Sequence, residues 1–135
     1  MLRDELDRKL NMQHESHSPD AIPLWLARVR ARVAESCRRP PSRAELAELA
    51  GVDVAHLSRA FRAHFGTTIM GFARSCRLHD ALRWLAWSDE PVSAVAKRCG
   101  YSDQGHLARE CRRHTGMTPA AFRRAAQVRG MPQAS

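Results

Sequence analysis

Five arginines stand where their chemistry could be used together: Arg59 and Arg62 in one stretch, and Arg109, Arg112 and Arg113 in another, fifty residues on. A guanidinium is planar, permanently charged and carries its donors in a fork. It therefore suits two-point contact with a phosphate or with the edge of a guanine. The second stretch reads G-Y-S-D-Q-G-H-L-A-R-E-C-R-R-H-T-G-M-T-P over residues 100–119. Within it Leu107 and Cys111 lie four residues apart and share one helix face. At about 100° per residue, Arg109 points roughly opposite that face, flanked by Gly105, Arg112 and Arg113. The same arrangement also occurs on the solvated face of any basic helix.

Other chemistries find less support. There is no nucleophile elbow, phosphate loop or metal-binding helix motif, and the Asp, Glu and His residues are scattered. The chain reads as a non-enzyme with no cofactor and no metal. His14 and His17 are spaced as metal ligands can be, but nothing nearby completes a site, so they read as part of a solvated tail. Cys37, Cys76, Cys99 and Cys111 lie far apart without a C-x-x-C pair. Free buried thiols in a reducing cytoplasm are the expectation, and a thiol-based redox sensor is the alternative.

The elements that must position the arginines can be read from punctuation and period. Gly100 follows a short helical run, 92–99, and suits a turn with φ > 0. Ser102 or Asp103 can cap the helix that follows, Gly116 stops it, and Thr118 and Pro119 serve as N-cap and first residue of another. Helix, tight turn and a second helix with an apolar inside and a basic outside is the helix-turn-helix pattern. Earlier, a helix is expected over 23–39 with Trp25, Val29 and Val33 inward, ended by Pro40 and Pro41. Ser42 and Glu45 form a capping box for a helix through Ala50. Gly51 then turns the chain and Asp53 can cap a helix to Phe65, with Leu57, Phe61 and His64 inside and Arg59 outside.

This pattern recurs. At an offset of 50, His56, Leu57, Arg59, Arg62, His64, Gly66, Thr68, Phe72 and Arg74 meet His106, Leu107, Arg109, Arg112, His114, Gly116, Thr118, Phe122 and Arg124. Ala47 and Gly51 meet Ala96 and Gly100 at an offset of 49, so the second turn is one residue longer. Between the copies, residues 68–87 read as one helix whose apolar stripe changes sides, from Ile69, Phe72 and Cys76 to Leu78, Ala81, Leu82 and Leu85. Such a helix is about 30 Å long, close to the roughly 34 Å between successive major grooves on one face of DNA. The expected fold is all-α, with segments 1–20 (an acidic tail or linker, with a short helix marked by Leu2, Leu6 and Leu10), 21–67, 68–87, 88–126 and 127–135.

The chain has 135 residues and a formal net charge of +8. Residues 1–20 carry a balance of −2, so the remainder, with 19 bases against 9 acids, carries +10. Such an excess, almost all arginine, points to a polyanionic partner. No stretch approaches the roughly 20 apolar residues of a membrane span, and no secretory signal is seen.

In its motifs the chain resembles the DNA-binding region of the AraC/XylS family of bacterial transcription regulators. The resemblance covers residues from about 22 to 125 and rests on A-E-L-A-x-x-A-G (44–51), H-L-S-R-A-F-R-x-H-F-G (56–66), the connecting helix and the stretch 100–123. It implies two homeodomain-like helix-turn-helix subdomains joined by a helix, each placing a recognition helix in a major groove of double-stranded DNA. One molecule would cover an asymmetric site as a monomer, with activation expected rather than repression and RNA polymerase as a further partner. Base contact would fall on Ala55, His56, Ser58 and Arg59, and on Gln104, Gly105, His106, Ala108 and Arg109. Phosphate contact would fall on Arg43, Arg62, Arg112 and Arg113, and on the helix starts at Ser42 and Thr118. Ala55 and Gly105 stand where many members carry larger side chains, and Cys111 and Thr115 replace bulky apolar residues. Most members add a sensing domain, so the chain resembles either the short branch without one or the detached end of a longer regulator. A nonspecific architectural nucleic-acid binder is the remaining alternative.

Overall fold

The computed structural model describes residues 21–128. The short helix expected around Leu2, Leu6 and Leu10, the pair His14 and His17, and the tail beyond Val128 lie outside the described residues. Among the described residues there are seven helices and no strand. They are α1 (Leu24–Glu35), α2 (Arg43–Ala50), α3 (Val54–Phe65), α4 (Ile69–Trp87), α5 (Val92–Arg98), α6 (Gln104–Thr115) and α7 (Pro119–Val128). Packing divides the chain into two units, one holding 21–36 and 40–72, the other 37–39 and 73–128. The division falls inside α4, between Phe72 and Ala73, about one turn before the apolar stripe changes sides.

In the first unit α1, α2 and α3 pack on one another. Leu26, Val29 and Val33 of α1 are buried with Leu46 and Ala47 of α2 and with Leu57 and Phe61 of α3. Phe61 meets Phe65 and Phe72 edge to face, at 4.7 and 5.8 Å between ring centroids. Packing corrects two expectations. The buried position at the start of α1 is Leu26, not Trp25, which is half-buried on the flank, and His64 is half-buried rather than inside. Helix α1 also stops at Glu35, short of Arg39. The Ser36 amide donates to the Val33 carbonyl at 3.2 Å and Arg32 donates to the Ser36 hydroxyl, closing the helix early. Cys37, just beyond, is buried and belongs with Arg38 and Arg39 to the second unit.

The turn between α2 and α3 is built from local chemistry. The Ser42 hydroxyl accepts from the Glu45 amide at 3.0 Å while the Ser42 amide donates to Glu45 Oε1 at 2.8 Å. Gly51 takes φ 77° at the C-cap, and Asp53 accepts from the His56 amide at 2.7 Å to start α3. Helix α4 begins one residue later than expected because Thr68 is its cap, accepting from the Gly71 amide at 3.0 Å.

The second unit repeats the plan with α5, α6 and α7 against the later half of α4. Its core joins Leu78, Ala81 and Leu85 to Val95, Ala96, Cys99, Tyr101, Leu107 and Cys111. Of the two possible caps for α6, Asp103 is the one used, accepting from the His106 amide at 2.8 Å. Where the first unit has the Phe61–Phe65 pair, the second has Cys111 and Thr115, and the Thr115 hydroxyl donates to the Cys111 carbonyl at 2.7 Å. Arg123 of α7 donates to the Leu85 carbonyl of α4 at 2.8 Å. Gly100, at φ 89°, is indispensable for a second reason: a Cβ there would stand 2.8 Å from the Arg38 carbonyl oxygen.

Candidate nucleic-acid interface

Helix α3 presents Ala55, His56 and Arg59 to solvent, with Ser58 half-buried beside them. Burial of Leu57 and Phe61 on the opposite face fixes this orientation. Arg43 and Arg62 are exposed as well. The His56 ring stacks on Trp25 of α1, 5.5 Å between centroids and 29° between planes. This tertiary contact has no signature in sequence, and it holds the imidazole at one edge of the exposed face. Ser42 is placed differently from a free helix start, since both its hydroxyl and its amide are taken up by the capping box.

Helix α6 presents Gln104, Gly105 and Arg109, with His106 and Ala108 half-buried. A Cβ on Gly105 would lie 3.3 Å from Asp103 Oδ1 and 3.4 Å from an Arg109 guanidinium nitrogen. The Arg109 head thus lies back along the helix over Gly105, the direction in which long helical side chains lean. The His106 ring contacts the Ser102 hydroxyl at 3.3 Å and meets the edge of Tyr101 at 4.9 Å between centroids. Arg112 and Arg113 are exposed. Glu110, which sequence reasoning did not single out, is buried on this helix, 3.7 Å from Arg113 and 3.9 Å from His114. The Thr118 hydroxyl accepts from the Ala121 amide at 3.1 Å.

In the first unit the structure gathers several of these residues into one cleft of about 270 Å³. Arg43, Ser58, Arg59 and Arg62 line it with Thr68, Ile69 and Met70. Thr68 was not among the sequence candidates, although the offset of 50 from Thr118 would have found it. In the second unit a cavity of about 340 Å³ is lined by Arg83, Trp84, Trp87 and Ser88, away from the α6 face.

The thiols occupy apolar surroundings. Cys37, Cys99 and Cys111 are buried and Cys76 is half-buried. Burial raises the pKa of all four, with Cys99 pushed up to about 11. Burial likewise raises Tyr101 to about 12, opposed by the charge of Arg77, whose guanidinium carbon lies 5.1 Å from the ring centroid. Among the described residues no group of three His, Cys, Asp or Glu side chains is placed to hold a metal ion. None of the described helices is long and apolar enough to cross a membrane.

Residues 46–125 match the family model described as a helix-turn-helix domain. The HTH-type transcriptional regulator GlxA of Rhizobium meliloti is 35% identical over 102 residues, which cover 76% of this chain and 31% of that protein. The HTH-type transcriptional activator RhaS of Pectobacterium carotovorum is 30% identical over 78 residues, 58% of this chain and 28% of that one. The chain therefore spans about a third or less of the length of these curated relatives. Among solved structures, the DNA-binding domain of the global transcriptional factor AdpA in complex with a target DNA superposes with a TM-score of 0.69 at 32% identity, over 78% of this chain and 95% of that one. A probable AraC family transcriptional regulator from Rhodopseudomonas palustris gives 0.68 at 28% identity, over 77% and 98%.

Proposed function

The chain belongs to the AraC-type helix-turn-helix family, and from that membership we propose that it regulates transcription by binding a specific sequence of double-stranded DNA. In this reading α3 and α6 are recognition helices that enter successive major grooves, with α4 as the spacer between them. One molecule occupies an asymmetric site in the cytoplasm as a monomer and has no catalytic step. Activation through contact with RNA polymerase is the favoured outcome, in keeping with the naming of the RhaS relative as an activator.

The observation that carries this reading is the repeated exposure of one chemical pattern. In each unit an Asp-capped helix buries a Leu at its second turn and exposes an arginine two residues later, Leu57 with Arg59 and Leu107 with Arg109. A single arginine on a basic surface needs no special use, but two at matched positions on matched helices suit paired reading of bases. The protein bound in the AdpA structure supplies a precedent at 32% identity. The redox alternative loses weight, because burial keeps the thiols protonated and unreactive.

Selection of bound duplexes from a random pool tests the proposal. Enrichment of one extended motif without a dyad is expected. Recovery of unrelated sequences with no common motif would favour an architectural binder instead.

A further inference from the structure

We propose that the cleft of the first unit is a seat for one segment of the sugar–phosphate backbone, and that the second unit has no equivalent seat. The inference rests on the proposed DNA-binding function and adds an inequality between its two halves. The cleft is lined by the apolar Ile69 and Met70, by Arg43, Arg59 and Arg62, and by the hydroxyl-bearing Ser58 and Thr68. A deoxyribose suits the apolar side chains, and a phosphodiester suits the guanidinium groups of Arg43 and Arg62 and hydroxyl donors. Thr68 caps α4 through its lone pairs, which leaves its proton free to be donated to a phosphate. The first amides of α4 have no partner within the helix, and a helix N-terminus favours an anion.

The repeat shows what the second unit lacks. The counterpart of Arg43, at the offset of 49, is Val92, packed against the second core. The counterpart of Ser58 is Ala108. The counterpart of Ile69 is Pro119, a buried residue with no amide hydrogen to offer. Ser42, which caps α2, is matched by Pro91, which makes no side-chain cap. A charge, a hydroxyl and an amide donor are therefore absent together. Arg109, Arg112 and Arg113 remain, on an open helix face, with Arg113 beside Glu110.

Scanning a selected duplex with single neutral methylphosphonate linkages tests this directly. The half-site read by the first unit is identified by the base preference lost in Arg59→Ala. One linkage there should dominate, weakening binding by about tenfold, while linkages in the other half give smaller, spread losses. In Arg43→Ala the dominant linkage should lose most of its effect, to less than about threefold, because its partner is gone. Specific binding with an even profile over both halves, or undiminished sensitivity in Arg43→Ala, would overturn the inference alone. Failure to bind the selected duplex more tightly than random sequence would overturn it together with the function on which it rests.

Discussion

At the scale of single residues, the two kinds of arginine should separate on measurement. Arg109 faces solvent from the middle of α6, so Arg109→Ala should remove about 1–3 kcal/mol of discrimination at one base pair while leaving random-sequence binding nearly intact. Arg112→Ala should instead weaken binding to every sequence and lower the slope of affinity against salt by about 1. Equal losses on specific and random duplexes for Arg109→Ala would remove its reading role. The titration of the buried groups carries a second expectation. Cys99 and Tyr101 favour their protonated forms in the folded state, so the folded protein holds more protons than the unfolded chain above the ordinary pKa of 9.0 for a thiol. The contribution of these two groups to stability should therefore be level from neutral pH to about pH 9 and fall as pH rises towards 11, read as the urea midpoint over that interval. A midpoint that rose over this interval would contradict the burial argument. Exposure of Arg59 and Arg109 was legible from helical period alone, because Leu57 and Leu107 fix the inner face. The stacking of Trp25 on His56 was not, since it joins residues on different helices and depends on how those helices cross.

At the scale of elements, the turns carry most of the local instruction. Asp103→Ala removes the acceptor for the His106 amide and should cost about 1 kcal/mol of stability by denaturant titration. Gly51 and Gly100 occupy matched turns at similar positive φ, yet an added Cβ meets nothing within 4 Å at Gly51 and a backbone oxygen at 2.8 Å at Gly100. Gly51→Ala should thus cost about 1–2 kcal/mol for the left-handed backbone alone, and Gly100→Ala distinctly more, since a carbonyl cannot swing aside as a side chain can. Equal costs would mean that the approach of Arg38 to Gly100 is unimportant. The caps at Ser42, Asp53 and Thr118 could be anticipated because a cap is settled within four residues of sequence. The end of α1 could not. Pro40 and Pro41 are the visible stop, whereas the helix ends at Glu35, before the buried Cys37, and burial of a connecting segment is decided by the rest of the fold.

At the scale of the whole molecule, the internal repeat makes two helix-turn-helix units legible from sequence alone, because matched His, Leu, Arg and Gly positions recur at one offset. The cleft around Arg43 and Thr68 is not legible in that way, since it draws on three separate elements. The proposed function requires α4 to act as a spacer. Its middle is better disturbed at Ser75, which is exposed, than at Arg77, whose guanidinium covers Tyr101. Ser75→Pro should cost about 3 kcal/mol locally and break the helix. Two alanines inserted after Ser75 should instead rotate the later half of α4 by about 200° without breaking it. Both variants should keep salt-sensitive binding to random duplex and lose the selected site, with affinity falling towards that of one unit. The most direct test of a single chain reading two places on DNA is a missing-base interference footprint on the selected duplex, with the complex weighed by native mass spectrometry. One chain per duplex is expected, with two unlike contact patches centred about 10 base pairs apart on one face. Two chains on a palindrome, or a single patch, would contradict it.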